Sequence, residues 1–92
     1  MNNNLLHTVT SDAIALLKQL ITIPSLSKEE DKTADCIESF LSERNITVHR
    51  LLNNLWASNK YAKDSLPTIL LNSHHDTVPA NSAYTRNPHE AN

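Results

Sequence analysis

One stretch decides how this chain folds: Thr68-Ile69-Leu70-Leu71-Asn72-Ser73-His74-His75-Asp76. Its first half is an apolar run of strand length that follows Pro67, a pattern typical of a strand covered on both faces. A strand of that kind belongs to an α/β layer, and ligands bind beyond the carboxyl ends of strands in open α/β sheets. We therefore predict a buried strand over 68–72 and a functional site in the polar residues that follow it.

Two helices are predicted before this strand. After an unpatterned lead-in over 1–9, an N-cap at Thr10 or Ser11 opens an apolar stripe that ends before Pro24. The run Ser27-Lys28-Glu29-Glu30 matches a capping box and predicts a second helix to about residue 44. Asn45 then suits a left-handed C-cap in a chain without glycine.

Short strands are predicted over 46–52 and 55–57, joined by a turn at Asn53-Asn54. From Ser73 onward the chain is polar and irregular. Two helices followed by short strands of a mixed sheet favour an α/β fold over a helix bundle or a β-sandwich.

Composition excludes several classes of function. The chain has 92 residues and 10.3 kDa, enough for one small domain, and its net charge of −2 provides no basic field for nucleic acid or an anionic membrane. Without glycine it cannot build a P-loop, a dinucleotide fingerprint or a nucleophile elbow. The single Cys36 cannot form an internal disulfide, and no signal peptide or membrane-length apolar run is visible. We expect a soluble cytoplasmic protein.

The segment Ser73 to Asp76 carries the chemistry. Side chains alternate along extended backbone, so we expect His74 and Asp76 on one side and His75 on the other. A histidine and a carboxylate on one side suit a divalent metal, although a merely hydrogen-bonded loop remains an equal reading of the spacing. A relay of Ser73, His74 and Asp76 is disfavoured because neighbouring side chains on a strand face apart.

Other candidate residues have simpler interpretations. Cys36 lies on the apolar side of a helix and behaves as a small hydrophobe, and Trp56 is expected to fill the core. Tyr84 and Arg86 could line a substrate mouth, but a surface loop is the simpler reading. His49 is expected to be a surface or half-buried side chain within a strand rather than a ligand. His7 and His89 are expected in flexible ends, where His89 could at most scavenge a metal.

Two motifs stand out in this sequence. The first is Ile23-Pro24-Ser25-Leu26-Ser27 followed by acidic residues, and the second runs from Leu71 to Pro79. They resemble the M20 family of metallopeptidases and deacylases, whose opening motif is a strand, His-x-Asp, a short apolar step and proline. The wider pattern of Leu71 to Pro79 with Tyr84-Thr85-Arg86-Asn87-Pro88 most resembles the acetylornithine deacetylase branch.

The resemblance implies a hydrolase with two zinc or cobalt ions per active site. Its substrate would be an N-acyl amino acid, above all N-acetylornithine in arginine biosynthesis, with N-succinylornithine as an alternative. By position, His74 would be a metal ligand and Asp76 the catalytic carboxylate behind it. Ser73 stands where the family usually has glycine, which leaves the ligand assignment intact.

The family's remaining ligands have no counterpart in residues 1–92. They are a bridging aspartate, a pair of glutamates, a further carboxylate and a last histidine; a lid domain with the dimer contacts is also missing. The resemblance therefore implies the N-terminal portion of a single catalytic domain, homodimeric and active at full length but inactive as 92 residues. The alternative is a free-standing α/β binding or scaffold domain without chemistry.

Overall fold

The computed structural model of this chain describes residues 3–91. Two helices, α1 (Asn3–Ile21) and α2 (Asp31–Ser42), are followed by two strands, β1 (His49–Leu51) and β2 (Asn54–Trp56). The strands pair antiparallel, and α2 packs against both α1 and β2. This arrangement confirms the predicted α/β class. Among residues 3–91, neither helix is both long enough and apolar enough to cross a bilayer.

The first helix begins earlier than the sequence predicted. It starts at Asn3, so both the lead-in over 1–9 and the N-cap at Thr10 or Ser11 are wrong; residues 1 and 2 lie outside the described part. The polar residues of the first turns are accommodated within the helix. The Thr8 hydroxyl donates to the Asn4 carbonyl at 3.0 Å, the usual way in which threonine satisfies its hydroxyl inside a helix.

The second helix has no capping box. Its N-cap is Glu30, which makes no side-chain capping bond, and the Glu30 carboxylate instead accepts the Lys28 backbone N–H at 2.9 Å. The prediction that Ser27 caps the helix is therefore wrong. Its physical reason is the left-handed backbone of Lys28 (φ 71°), which turns the chain before the helix begins. Asn45 has φ 60° and confirms the predicted left-handed residue after the helix.

The hairpin is anchored to α2 by charge. Asn54 pairs with Leu51 in the sheet, so the turn consists of Leu52 (φ 57°) and Asn53, one residue earlier than the predicted turn at Asn53-Asn54. The Arg50 guanidinium lies 2.7 Å from the Asp35 carboxylate and 3.3 Å from that of Glu38. The hydrogen bond that Arg50 donates to the Asp35 carboxylate raises the pKa of Arg50 above its ordinary value.

The two helices bury little apolar surface. Within the described residues, Ala34 is the hydrophobic side chain that is fully buried. A polar contact supplements the helix packing: the Arg44 guanidinium lies 3.3 Å from Asp12 and covers the Phe40 ring at 3.6 Å. The position of the loops must therefore depend on polar contacts as well as on a core.

The predicted buried strand over 68–72 is not formed. No strand is assigned there, and Ile69, Leu70 and Leu71 are 85%, 83% and 91% exposed. A central strand needs neighbours on both edges for its backbone groups. The sheet of the described residues contains β1 and β2 alone, and the apolar run pairs with neither of them and stays exposed.

Candidate functional site

The histidine and carboxylate predicted to share one side are in contact. His74 Nδ1 lies 2.9 Å from the Asp76 carboxylate oxygen Oδ1 and 3.2 Å from the Asp76 backbone carbonyl. The His74 side chain is 84% exposed and that of Asp76 is 37% exposed. The pair therefore faces outward, where a ligand can reach it.

The contact determines which nitrogen of His74 is free. Both neighbours of Nδ1 are oxygens that accept hydrogen bonds, so in the neutral ring Nδ1 carries the proton. Nε2 is then the nitrogen with an available lone pair. A carboxylate that holds the far nitrogen of an imidazole is the arrangement found behind metal-ligating histidines.

His75 points away from this pair, as the alternation predicted. It is half-buried, and its Nδ1 lies 2.7 Å from the Thr33 hydroxyl of α2. Its Nε2 lies 3.0 Å from the Asn53 carbonyl in the hairpin turn and donates to it, because a carbonyl only accepts. His75 thus connects the segment 73–77 to two other elements of the fold.

The link between the two helices holds the same segment. The Ser25 hydroxyl donates to the His75 carbonyl, and the Thr77 N–H donates to the Ser25 carbonyl at 2.7 Å. Leu26 and Thr77 form a parallel bridge. The residues on both sides of Asp76 are therefore fixed to the chain that leaves α1.

Glu30 adds a charge near these contacts. Its carboxylate accepts hydrogen bonds from the Lys28 N–H at 2.9 Å and from the Asn53 amide at 3.3 Å. The bond from Lys28 is the main cause that lowers the pKa of Glu30 below its ordinary value, and the nearby His75 acts in the same direction. A carboxylate at this point thus remains ionised at neutral pH.

The pair borders an open groove of about 930 Å³. One part of its wall is apolar and comes from the helices and the hairpin: Leu16, Leu20, Ile37 and Leu55. The lining also includes polar residues, among them His74 and Asp76. A ligand bound at the pair would have both apolar and polar surface beside it.

The other histidines do not complete a metal site. In the part of the chain that the structure describes, no three side chains of His, Cys, Asp or Glu form a group that could hold a metal ion. His7 and His49 are exposed, and the His89 ring lies 3.4 Å from the Ile21 carbonyl. The described residues therefore provide one exposed imidazole with a carboxylate behind it.

Three further sequence interpretations can be compared with the structure. Cys36 is half-buried, and burial raises the pKa of its thiol, in agreement with its interpretation as a small hydrophobe. Trp56 is 53% exposed and stacks on His49 at a ring distance of 5.7 Å, so the prediction that it fills the core is wrong. Tyr84 and Arg86 lie exposed in the irregular segment, as a surface loop would.

Two residues of the site were missed by the sequence interpretation. Ser25 and Thr33 are each 1% exposed, and both make hydrogen bonds to His75. A buried hydroxyl pair has no sequence signature, since its partner lies 42 or 50 residues away. The Pro24-Ser25 link of the first motif was the available signal, although it gave no indication of the partner.

Comparison with known proteins gives two similar sequences. Both are described as probable carboxypeptidases, one from Aspergillus flavus and one from Aspergillus oryzae. Each is 30% identical to this chain over an alignment of 89 residues, and the match covers 86% of this chain and 21% of the relative. The chain thus spans about a fifth of the length of the relatives it matches. No family model and no solved structure matches it.

Proposed function

We propose that this chain is the N-terminal portion of a metal-dependent hydrolase that cleaves the amide bond of an N-acyl amino acid. The observation that carries the proposal is the contact of His74 Nδ1 with Asp76 at 2.9 Å, which leaves Nε2 exposed and available to a metal ion. The description of both relatives as probable carboxypeptidases supports a hydrolase of amide bonds.

One reaction class unites the carboxypeptidase description with the resemblance to deacylases. A carboxypeptidase hydrolyses the amide that joins a terminal amino acid to the rest of a peptide. A deacylase hydrolyses the amide that joins an amino acid to an acetyl or succinyl group. In both cases the bond broken is the amide of an N-acyl amino acid, so the two suggestions differ only in the acyl part. The M20-like motifs favour N-acetylornithine as the substrate.

The donor set fits a metal ion of the zinc or cobalt type as far as the described residues extend. His74 would ligate it through Nε2, and Asp76 would hold the imidazole in the required orientation and increase its basicity. When bound, such an ion lowers the pKa of a ligated water to near neutrality and polarises the scissile carbonyl. The Asp76 contact would exclude rotation of the ring away from the site.

The remaining ligands would come from sequence outside these residues. A catalytic zinc takes about three protein ligands and a water, whereas residues 3–91 contribute one imidazole. The relatives are nearly five times as long as the part that this chain matches, which leaves room for the additional carboxylates, a second histidine and a dimerising lid. The full catalytic unit, with two metal ions, is part of the same proposal.

The test uses the product of the whole reading frame that contains these 92 codons. It would be assayed for amine release from N-acetylornithine, N-succinylornithine and an N-blocked dipeptide, before and after removal of metal with a chelator. We expect metal-dependent hydrolysis of at least one substrate and its loss in His74→Ala. His49→Ala is the matched control, because His49 is exposed and lies outside the groove.

Two outcomes would contradict the proposal. A product that binds no metal and hydrolyses none of the three substrates would favour the alternative of a binding or scaffold domain. Equal activity of His74→Ala and His49→Ala would show that this histidine is not a ligand. Preference for the dipeptide would retain the reaction class and reject N-acetylornithine as the substrate.

A further inference from the structure

The two most buried polar side chains of the described residues converge on one histidine. Ser25 and Thr33 are each 1% exposed, and each is hydrogen-bonded to His75, Ser25 through the backbone carbonyl and Thr33 through the ring. The Thr33 hydroxyl also lies 3.0 Å from the Glu30 carbonyl, so His75 is one of two partners for Thr33, whereas the His75 carbonyl is the acceptor for the buried Ser25 hydroxyl. His75 is the residue between His74 and Asp76.

His75 is held at both its backbone and its side chain. Its ring lies between the Thr33 hydroxyl at 2.7 Å and the Asn53 carbonyl at 3.0 Å, while its backbone carbonyl accepts from Ser25. With the ring fixed inward, alternation directs the side chains before and after it to the opposite side. The contacts of His75 thus determine how the His74 and Asp76 side chains are oriented.

We propose that Ser25 and Thr33 are positioning residues that set the metal affinity of His74 by fixing His75. This inference rests on the proposed function, since it assumes that His74 is a metal ligand. Neither hydroxyl contacts His74 or the metal position. They act by keeping the backbone of 74–76 in the form that brings His74 Nδ1 within 2.9 Å of Asp76.

The alternative for these hydroxyls is a purely structural role. In that case their loss would lower the free energy of unfolding and leave the folded protein's affinity for metal unchanged. A positioning role predicts a different result. In folded protein, loss of either hydroxyl should let the segment 74–76 rotate, so that His74 and Asp76 separate and zinc binds less well.

The experiment is a zinc titration of the metal-free product of the whole reading frame, because residues 3–91 contribute only one ligand. The ring nitrogens of His74 are followed by NMR in the 92-residue chain without zinc. Thr33→Val removes the hydroxyl and keeps the side-chain shape, whereas Thr33→Ser keeps the hydroxyl. Ser25→Ala tests the second contact independently. Thr22→Val is the matched control, because its hydroxyl is exposed and bonds only to the Gln19 carbonyl within its own turn.

We expect the product of the whole reading frame to bind zinc about 10-fold less tightly in Thr33→Val and in Ser25→Ala. Thr33→Ser and Thr22→Val should bind as the unchanged chain does. Without zinc, the Nδ1-protonated form of His74 should dominate in the unchanged chain and decline in Thr33→Val and Ser25→Ala. If Thr33→Val fails to fold, Ser25→Ala carries the test.

Unchanged zinc affinity in folded Thr33→Val or Ser25→Ala would overturn the inference. An equal loss in Thr33→Ser would do the same, because the hydroxyl would then not be responsible. His74→Ala separates this failure from failure of the proposed function. If His74→Ala binds zinc as well as the unchanged chain, the ligand assignment itself is wrong.

Discussion

Two adjoining segments of this chain behave in opposite ways. Residues 68–72 are apolar and have the pattern of a core strand, yet Leu71 is 91% exposed. Residues 73–77 are polar and irregular, yet they are joined to the link before α2, to α2 itself and to the hairpin turn. Hydrophobic sequence does not by itself place a segment, because a strand also needs partners for its backbone. Specific hydrogen bonds can hold a segment that has no core to enter.

The largest effect on activity is expected from substitutions in segment 73–77 at His74 and Asp76, the residues proposed to bind and support the metal ion. In the product of the whole reading frame, His74→Ala should remove nearly all metal-dependent hydrolysis, because the imidazole that ligates through Nε2 is lost. Asp76→Asn should retain more metal and reduce turnover by about 10- to 100-fold, since the group behind the ligand is weakened but kept. Steady-state rates and metal content would measure both.

An equal loss of bound metal in Asp76→Asn and His74→Ala would contradict these separate roles. It would indicate that both side chains ligate directly. The His49→Ala control should retain full rates and full metal content.

The contacts that hold segment 73–77 in place can be removed by a substitution at His75. His75→Ala should lower the free energy of unfolding by about 0.5–1.5 kcal/mol for each hydrogen bond lost, because the contacts of the ring with the Thr33 hydroxyl and the Asn53 carbonyl are removed while Thr33 keeps the Glu30 carbonyl. Denaturant unfolding of the 92-residue chain would measure it. An effect no larger than that of His49→Ala would mean that the contacts of His75 do not hold the segment.

The contribution of Glu30 to this anchor should depend on pH. The pKa of Glu30 is lowered in the folded chain, so its stabilising effect is fully present above the carboxyl's ordinary pKa. That effect is lost as the pH falls through the lowered folded value. Glu30→Gln should therefore flatten the acid limb of the stability profile, whereas Glu29→Gln, whose residue is exposed, is the control. Identical acid limbs in Glu30→Gln and the unchanged chain would contradict this role.

The smallest effect is expected in the exposed apolar segment. Leu71→Ser should change the free energy of unfolding of the 92-residue chain by less than about 0.5 kcal/mol, because little apolar area is buried there. Ser27→Ala should be equally mild, since Ser27 does not cap α2. A loss above about 2 kcal/mol for Leu71→Ser would show that the segment is buried after all.

The sequence predicted those features that depend on local chemistry. Helix periodicity identified both helices, Asn45 identified a left-handed residue, and alternation placed His74 and Asp76 together with His75 turned away. Each of these follows from residues within a few positions of one another.

The features that failed depend on distant partners. The strand over 68–72 required neighbours that the described residues do not provide, and the capping box failed because Lys28 adopts a left-handed backbone. The roles of Ser25 and Thr33 were not predictable, because a hydroxyl gives no sequence signal of the carbonyl or ring nitrogen that it will meet.

The central claim is that Asp76 holds His74 with Nε2 free for a metal ion. Ring nitrogen NMR of His74 tests it most directly, in the metal-free 92-residue chain at mildly alkaline pH and in the zinc-loaded product of the whole reading frame. We expect the proton on Nδ1 in the free chain and a zinc-induced shift at Nε2 with Nδ1 still protonated. A proton on Nε2 in the free chain, or zinc bound at Nδ1, would contradict the claim.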